Sequence, residues 1–147
     1  MVRFVVYLLI SLLLFLGIGA CYGGGLLVIR PDGSLLGMNP AWLQNSPFSN
    51  YLIPGFVLLV FNGVLPLFAA FGLVFKPHWG WANLFNIYKN RHWAWTYSLY
   101  TGIIVIIWIT VQLLLTQYFW LQPVMIFTGL AIIICSLTPG VMKEFEN

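Results

Sequence analysis

Charge is what this chain has least of. Only 6% of its 147 residues are charged, with six bases and three acids. Soluble domains carry about a quarter charged residues, so this scarcity excludes an ordinary soluble fold. The acids, Asp32, Glu144 and Glu146, are too dispersed to work as paired carboxylates. Histidine is nearly as scarce. His78 and His92 flank one basic, aromatic segment without an acidic neighbour. No metal site is expected from them, and neither forms a visible nucleophile–base pair. The two cysteines, Cys21 and Cys135, form no C-x-x-C, which excludes paired-thiol redox chemistry. They fall near opposite ends of the first and last apolar runs. At 1.5 Å rise per residue their depths should differ by more than ~10 Å, beyond the reach of a disulfide. Both thiols are expected to be free and buried. The glycine-rich "GIGACYGGG" (Gly17 to Gly25) lacks the lysine and the strand–loop–helix setting of a phosphate loop. It suits close helix packing. No cofactor and no nucleic-acid partner are expected.

What the chain does have is apolar length. Hydrophobic residues make up 61% and the mean hydropathy is +0.95. Four runs without Asp, Glu, Lys or Arg cover about residues 4–28, 51–75, 94–117 and 121–142. Each is long enough to cross a bilayer, which takes about 20 residues. Backbone groups in lipid must bond within their own segment, so the runs should be helices. The expected fold is an all-α integral membrane protein: a single membrane domain, 1–147, built as a four-transmembrane-helix bundle.

Lysine and arginine set its direction. Arg3 precedes the first run, Lys76, Lys89 and Arg91 lie between the second and third, and Lys143 follows the fourth. The other side carries only Arg30, beside Asp32. The positive-inside rule then puts both termini and the inner loop, 76–93, in the cytoplasm of a cell with an inner membrane. Trp79, Trp81, Tyr88, Trp93 and Trp95 would mark the inner interface, and Trp42, Tyr51, Tyr118 and Trp120 the outer one. The inner loop also reads as a contact for anionic lipid. A rival reading treats "IGAC" as a lipoprotein signal ending at Cys21. The apolar character continues to Ile29, which favours a retained helix.

The outer loop, 29–50, is rich in turn chemistry. "RPDGS" is a β-turn signature with glycine in the left-handed position. The flanking "LLVI" and "LLGM" predict a short β-hairpin tipped by Asp32 and Gly33. Asn39-Pro40 and Ser46-Pro47 predict two helix starts, the first anchored by Trp42. Pro54 should bend the second span. Asp32, Gly33, Trp42 and Pro54 are the candidate lid, and the competing reading is a plain cover for the bundle end.

Helical periodicity predicts the inward faces. They are Tyr7, Ser11, Cys21, Tyr22 and Gly25 in the first span, and Tyr51, Gly55, Asn62, Pro66 and Ala69 in the second. The third contributes Tyr97, Thr101, Trp108 and Gln112, and the fourth Gln122, Gly129 and Ser136. Tyr22, Asn62, Gln112 and Gln122 are the candidate polar lining of an interior pocket. Interhelical hydrogen bonding is the competing role.

"GGGLLVIRPDGSLLGM", "SPFSNYLIPGFVLL", "GVLPLFAAFGLVF" and "RHWAW" resemble a group of small bacterial four-span proteins of uncharacterised function. In layout the chain is also loosely similar to DoxX-like membrane proteins. The resemblance implies four spans and carries no functional residue. The chain lacks the first-span glutamate of small multidrug-resistance transporters and any other intramembrane acid for proton coupling. The sequence therefore reads first as a structural or interaction module, with lipids, a second copy or another membrane protein as partner. A binder of a lipid-like or small apolar molecule in an outward-facing pocket is the alternative. A membrane enzyme is the third reading.

Overall fold

A computed structural model of the chain describes residues 2–37, 47–115 and 121–146. The described residues are helical and contain no strand beyond one isolated bridge, Arg91 to Glu146. Helix α1 spans Val2–Ile29, α2 Leu52–Leu59 and α3 Leu65–Phe75, the last two joined by a π-helical turn at Val60–Val64. Next come α4 (Gly80–Asn83), α5 (Trp93–Leu115), α6 (Leu121–Leu137) and α7 (Pro139–Glu144). Among the described residues, three segments are long and apolar enough to cross a membrane: Val2–Ile29, Leu52–Phe75 and Trp93–Leu114. Helix α6 is apolar but shorter, at 17 residues. Pro139 sets its C-terminal end. It removes a backbone donor and holds Thr138 in an extended conformation (ψ 126°). The expected helix to residue 142 is thus broken into two.

Packing runs in a ring, from α1 to the α2–α3 rod, then to α5, to α6 and back to α1. Glycine seams let two of these pairs approach closely. A Cβ on Gly24 would lie 2.7 Å from the Leu59 nitrogen and 2.8 Å from the Gly55 oxygen. One on Gly129 would lie 2.5 Å from Val105 Cγ1 and 3.0 Å from the Gly102 oxygen. Only glycine fits where one backbone lies on another.

The inward faces of α2–α3, α5 and α6 hold the residues that periodicity places there. Tyr51, Gly55, Asn62, Pro66, Ala69, Tyr97, Thr101, Gln122, Gly129 and Ser136 are buried, and Trp108 and Gln112 half-buried. Helix α1 differs. Tyr7, Ser11 and Tyr22 are exposed, while Leu9, Leu13, Leu16, Gly17, Ala20, Gly24 and Leu27 face the core. Ser11 donates to the Tyr7 carbonyl one turn back (2.8 Å), so its hydroxyl needs no partner in the bundle.

The turn after α1 is also corrected. "LLVI" continues α1 to Ile29, and Ser34–Leu36 form one 3₁₀ turn instead of a paired strand. The β-turn itself is present. The Gly33 amide donates to the Arg30 carbonyl at 3.0 Å, and Gly33 adopts φ 79°. The Tyr51 amide donates to the Pro31 carbonyl (2.7 Å), tying this turn to the start of α2. That helix starts at Leu52, where Asn50 Oδ1 accepts from the Leu52 amide (3.0 Å), and not at Pro47; Ser46 lies outside the described residues. Asn39-Pro40, Trp42, Tyr118 and Trp120 lie outside the described residues.

Pro54 is the third residue of α2, where backbone donors have no intrahelical partner anyway. The irregularity comes later, at the π-turn immediately before Pro66. A proline there removes the donor to the Asn62 carbonyl and would crowd it in a regular α-turn. The wider π-turn relieves that contact.

Candidate functional site

Tyr22, Asn62, Gln112 and Gln122 line one cavity of about 330 Å³ between α1, the π-turn, α5 and α6. The rest of its wall is mostly apolar, including Leu16, Leu27, Leu58, Val105, Ile109 and Met125. Among the described residues, no Asp, Glu, Lys, Arg or His lines it. Gly19 and Gly23, one turn apart on α1, form part of the wall. A Cβ on Gly19 would meet nothing within 4 Å, and one on Gly23 only Leu58 at 3.9 Å. Gly19 and Tyr22 are both exposed, so the cavity reaches the flank of the bundle beside α1. Asp32, Gly33 and Pro54 are not among its lining residues.

The polar groups on this wall are not equivalent. Gln122 Nε2 donates to Gln112 Oε1 at 3.3 Å, joining α6 to α5. Asn62 is fully buried, and neither its amide nitrogen nor its amide oxygen has a hydrogen-bond partner. The indole nitrogen of Trp108 is likewise buried and unpaired. Leaving such groups unpaired costs about 1–3 kcal/mol each. Five hydroxyls elsewhere in the bundle are satisfied locally. Ser98, Thr101, Thr110, Thr128 and Thr138 each donate to the carbonyl four residues back. An asparagine on the π-turn has no equivalent here.

A second polar cluster sits at the other end of α5 and is structural. Asn86 is buried and fully used. Its Nδ2 donates to Asn83 Oδ1 and to the Arg91 carbonyl, both at 2.9 Å. Its Oδ1 accepts from the Tyr88 amide at 3.0 Å and from Thr96 Oγ1. The Tyr97 hydroxyl donates to the Ala82 carbonyl and the Tyr100 hydroxyl to that of Phe85 (2.7 Å). These bonds fold residues 80–88 back along α5. Phe68 stacks on Trp93 at 4.7 Å and on Trp81 at 5.5 Å. The segment between the second and third membrane-length helices is therefore a packed element. Its sequence signal was weak, because two asparagines among aromatics carry no spacing rule.

The fold brings His78 and His92 together, ring centroids 5.7 Å apart. No group of three or more His, Cys, Asp or Glu that could hold a metal occurs among the described residues. His92 accepts from the Ala94 amide through Nδ1 (3.1 Å), so its Nε2 carries the proton and donates to the Pro77 carbonyl (2.9 Å). Burial pushes its pKa below the ordinary histidine value, and the nearby His78 and Lys76 add to that. The sign follows by linkage. The unfolded histidine binds a proton near pH ~6.5 while folded His92 stays neutral, so stability falls as pH drops through that value toward the lower folded pKa. Thermal unfolding in detergent between about pH 5 and 8 should show this acid limb. It should shrink in His92→Asn, whose Oδ1 can still accept from Ala94.

The remaining ionic features are peripheral. Lys76 and Glu144 pair at 3.0 Å in the open, a contact worth little in itself. Asp32 accepts from the Ser34 amide at 2.9 Å, and that bond holds its carboxyl below the usual value. Both cysteines are free thiols, Cys135 buried and Cys21 half-buried.

No protein-family model matches this chain, and neither does any curated protein or solved structure. The reading of its function rests on the cavity.

Proposed function

We infer that the chain is a four-span protein of the cytoplasmic membrane whose interior cavity holds a small, largely apolar molecule taken from the bilayer. Helix α6, roughly 26 Å long by its rise, would serve as the fourth span, close to the ~30 Å hydrocarbon thickness. The distribution of Lys and Arg supports cytoplasmic termini and a cytoplasmic 76–93 segment. The outer face would then carry the 29–50 segment. The single observation behind the binding role is the cavity itself. Its volume, about 330 Å³, is at the low end of small-molecule sites, which span ~300–1,000 Å³. Its wall is apolar with a few convergent polar groups, the usual character of such sites. Two of its lining residues, Gly19 and Tyr22, are exposed, which suits lateral entry from lipid.

The second reading is association with another helix. Gly19 and Gly23 form a small-x-x-x-small pair with open space over Gly19, the pattern that lets helices approach in lipid. A catalytic role has no comparable support, because the cavity wall carries no nucleophile–base pair.

A fluorescent polyene titrated into protein–detergent micelles separates the two. The binding reading predicts saturable, one-site uptake that Gly19→Leu weakens by about tenfold or more with the protein still monomeric or oligomeric as before. Uptake that never saturates and is identical in Gly19→Leu defeats it. A change of oligomeric state in Gly19→Leu without effect on uptake favours association.

A further inference from the structure

Two residues of the cavity wall, Asn62 and Trp108, carry buried polar atoms without a partner among the described residues. Resting on the binding role above, we propose that the ligand is an amphiphile with an uncharged head that both donates and accepts a hydrogen bond, a hydroxyl or a neutral carboxyl, on an apolar body. Five buried side-chain atoms lack a partner among the described residues. Three of them, on Asn62 and Trp108, belong to residues lining this one cavity. The other two are the Ser136 hydroxyl and an Arg91 guanidinium nitrogen, and neither residue lines it. Orphaned groups of this kind are rare in native proteins and each needs an explanation; an occupant of the adjoining cavity supplies one for Asn62 and Trp108.

The chemistry of the orphans sets the head group. Asn62 offers N–H donors and one carbonyl acceptor, and Trp108 offers one N–H. An acceptor-only head, such as an ether or ester, leaves the Asn62 oxygen unpaired. A donor-only head, such as an ammonium, leaves both N–H groups unpaired. A hydroxyl or a protonated carboxyl serves both sides. A charged head is disfavoured, because among the described residues no ionisable side chain except the Tyr22 phenol lines the wall, and an unpaired ion in such a medium is strongly penalised. Position agrees. Asn62 sits near the middle of Leu52–Phe75, on a π-turn of the kind that recurs at functional sites.

Three probes of equal chain length test this: an alkane, its terminal alcohol, and the corresponding methyl ether. Each is titrated into micelles holding the full chain and compared at equal mole fraction in the micelle, with displacement of the bound polyene as readout. The alcohol should bind wild type about tenfold or more tighter than the alkane, with the ether between them. Asn62→Leu should narrow the preference for alcohol over alkane and, with the Trp108 N–H as the remaining partner, hold alcohol and ether alike while still binding the alkane. Trp108→Phe, which keeps a ring and removes the N–H, should lower the preference for both alcohol and ether, and it carries the test if Asn62→Leu does not fold. Equal binding of alkane and alcohol by wild type overturns the head-group assignment and leaves the cavity role standing. A preference for alcohol that is undiminished in both variants also overturns it. Failure of every probe to displace the polyene removes the cavity role and this assignment with it.

Discussion

Asn86→Ala should lower stability by about 3 kcal/mol or more, while Asn62→Leu should raise that of the ligand-free protein by about 1–3 kcal/mol. Both asparagines are buried, at 1% and 0% exposure, so burial alone predicts the same sign. Their partners predict opposite ones. The Asn86 amide makes four bonds, to Asn83, Tyr88, Arg91 and Thr96. Each is worth about 1 kcal/mol net, and truncation also strands buried partners. Thr96 is fully buried and has no water to turn to. The Asn62 amide makes no bond, so a leucine of similar size removes an unmet demand without opening a cavity. Unfolding followed in detergent by the near-ultraviolet signal of the aromatic cluster reads both. Equal losses for the two substitutions would mean that Asn62 has a partner in the folded protein.

Gly24→Ala should destabilise by about 1–3 kcal/mol, and Gly25→Ala, next to it, should stabilise by up to about 1 kcal/mol. The methyl on Gly24 would press on the backbone of Leu59 and Gly55 at 2.7 and 2.8 Å. Backbone in a packed helix pair cannot yield as a side-chain tip can, so α1 and α2 must separate. The methyl on Gly25 meets nothing within 4 Å, and alanine holds a helix better than glycine. Matched unfolding curves for the pair give the comparison. Similar behaviour of the two variants would place the α1–α2 seam elsewhere.

Much of this architecture is legible in sequence, and the failures have physical causes. Periodicity places Asn62, Thr101, Gln122 and Ser136 on inward faces because small and polar residues interrupt long apolar stretches there. The same logic fails for α1. In lipid an outward leucine and an inward leucine look alike, so the buried series Leu9, Leu13, Leu16 and Leu27 carries no signal. Ser11 and Tyr7 mark the wrong face because Ser11 is satisfied within its own helix. "LLVI" reads as strand by propensity, yet it continues a helix, since strand propensity yields to context. In sequence Pro54 reads as the bend and Pro66 only as an inward-facing residue. Only the position of the helix start tells the harmless one from the one beside the π-turn. "GIGACYGGG" is read as packing, and Gly17 and Gly24 do pack closely. Gly19 and Gly23 fall on another face and leave open space, a division that depends on where neighbouring helices sit. The Asn86 cluster joins residues 83 to 96 through hydrogen bonds with no sequence spacing to announce them.

The central claim is that a bilayer molecule enters the bundle interior. The most direct measurement is the insertion site of a photoreactive acyl probe, mapped by peptide sequencing after irradiation in liposomes. The account predicts labelling of Ile109 and Met125, which line the cavity, and loss of that labelling in Gly19→Leu. Ile109 is 5% exposed, so lipid at the bundle surface does not reach it. Label confined to exposed residues such as Phe15, Phe56 and Phe127, unchanged in Gly19→Leu, would contradict the account.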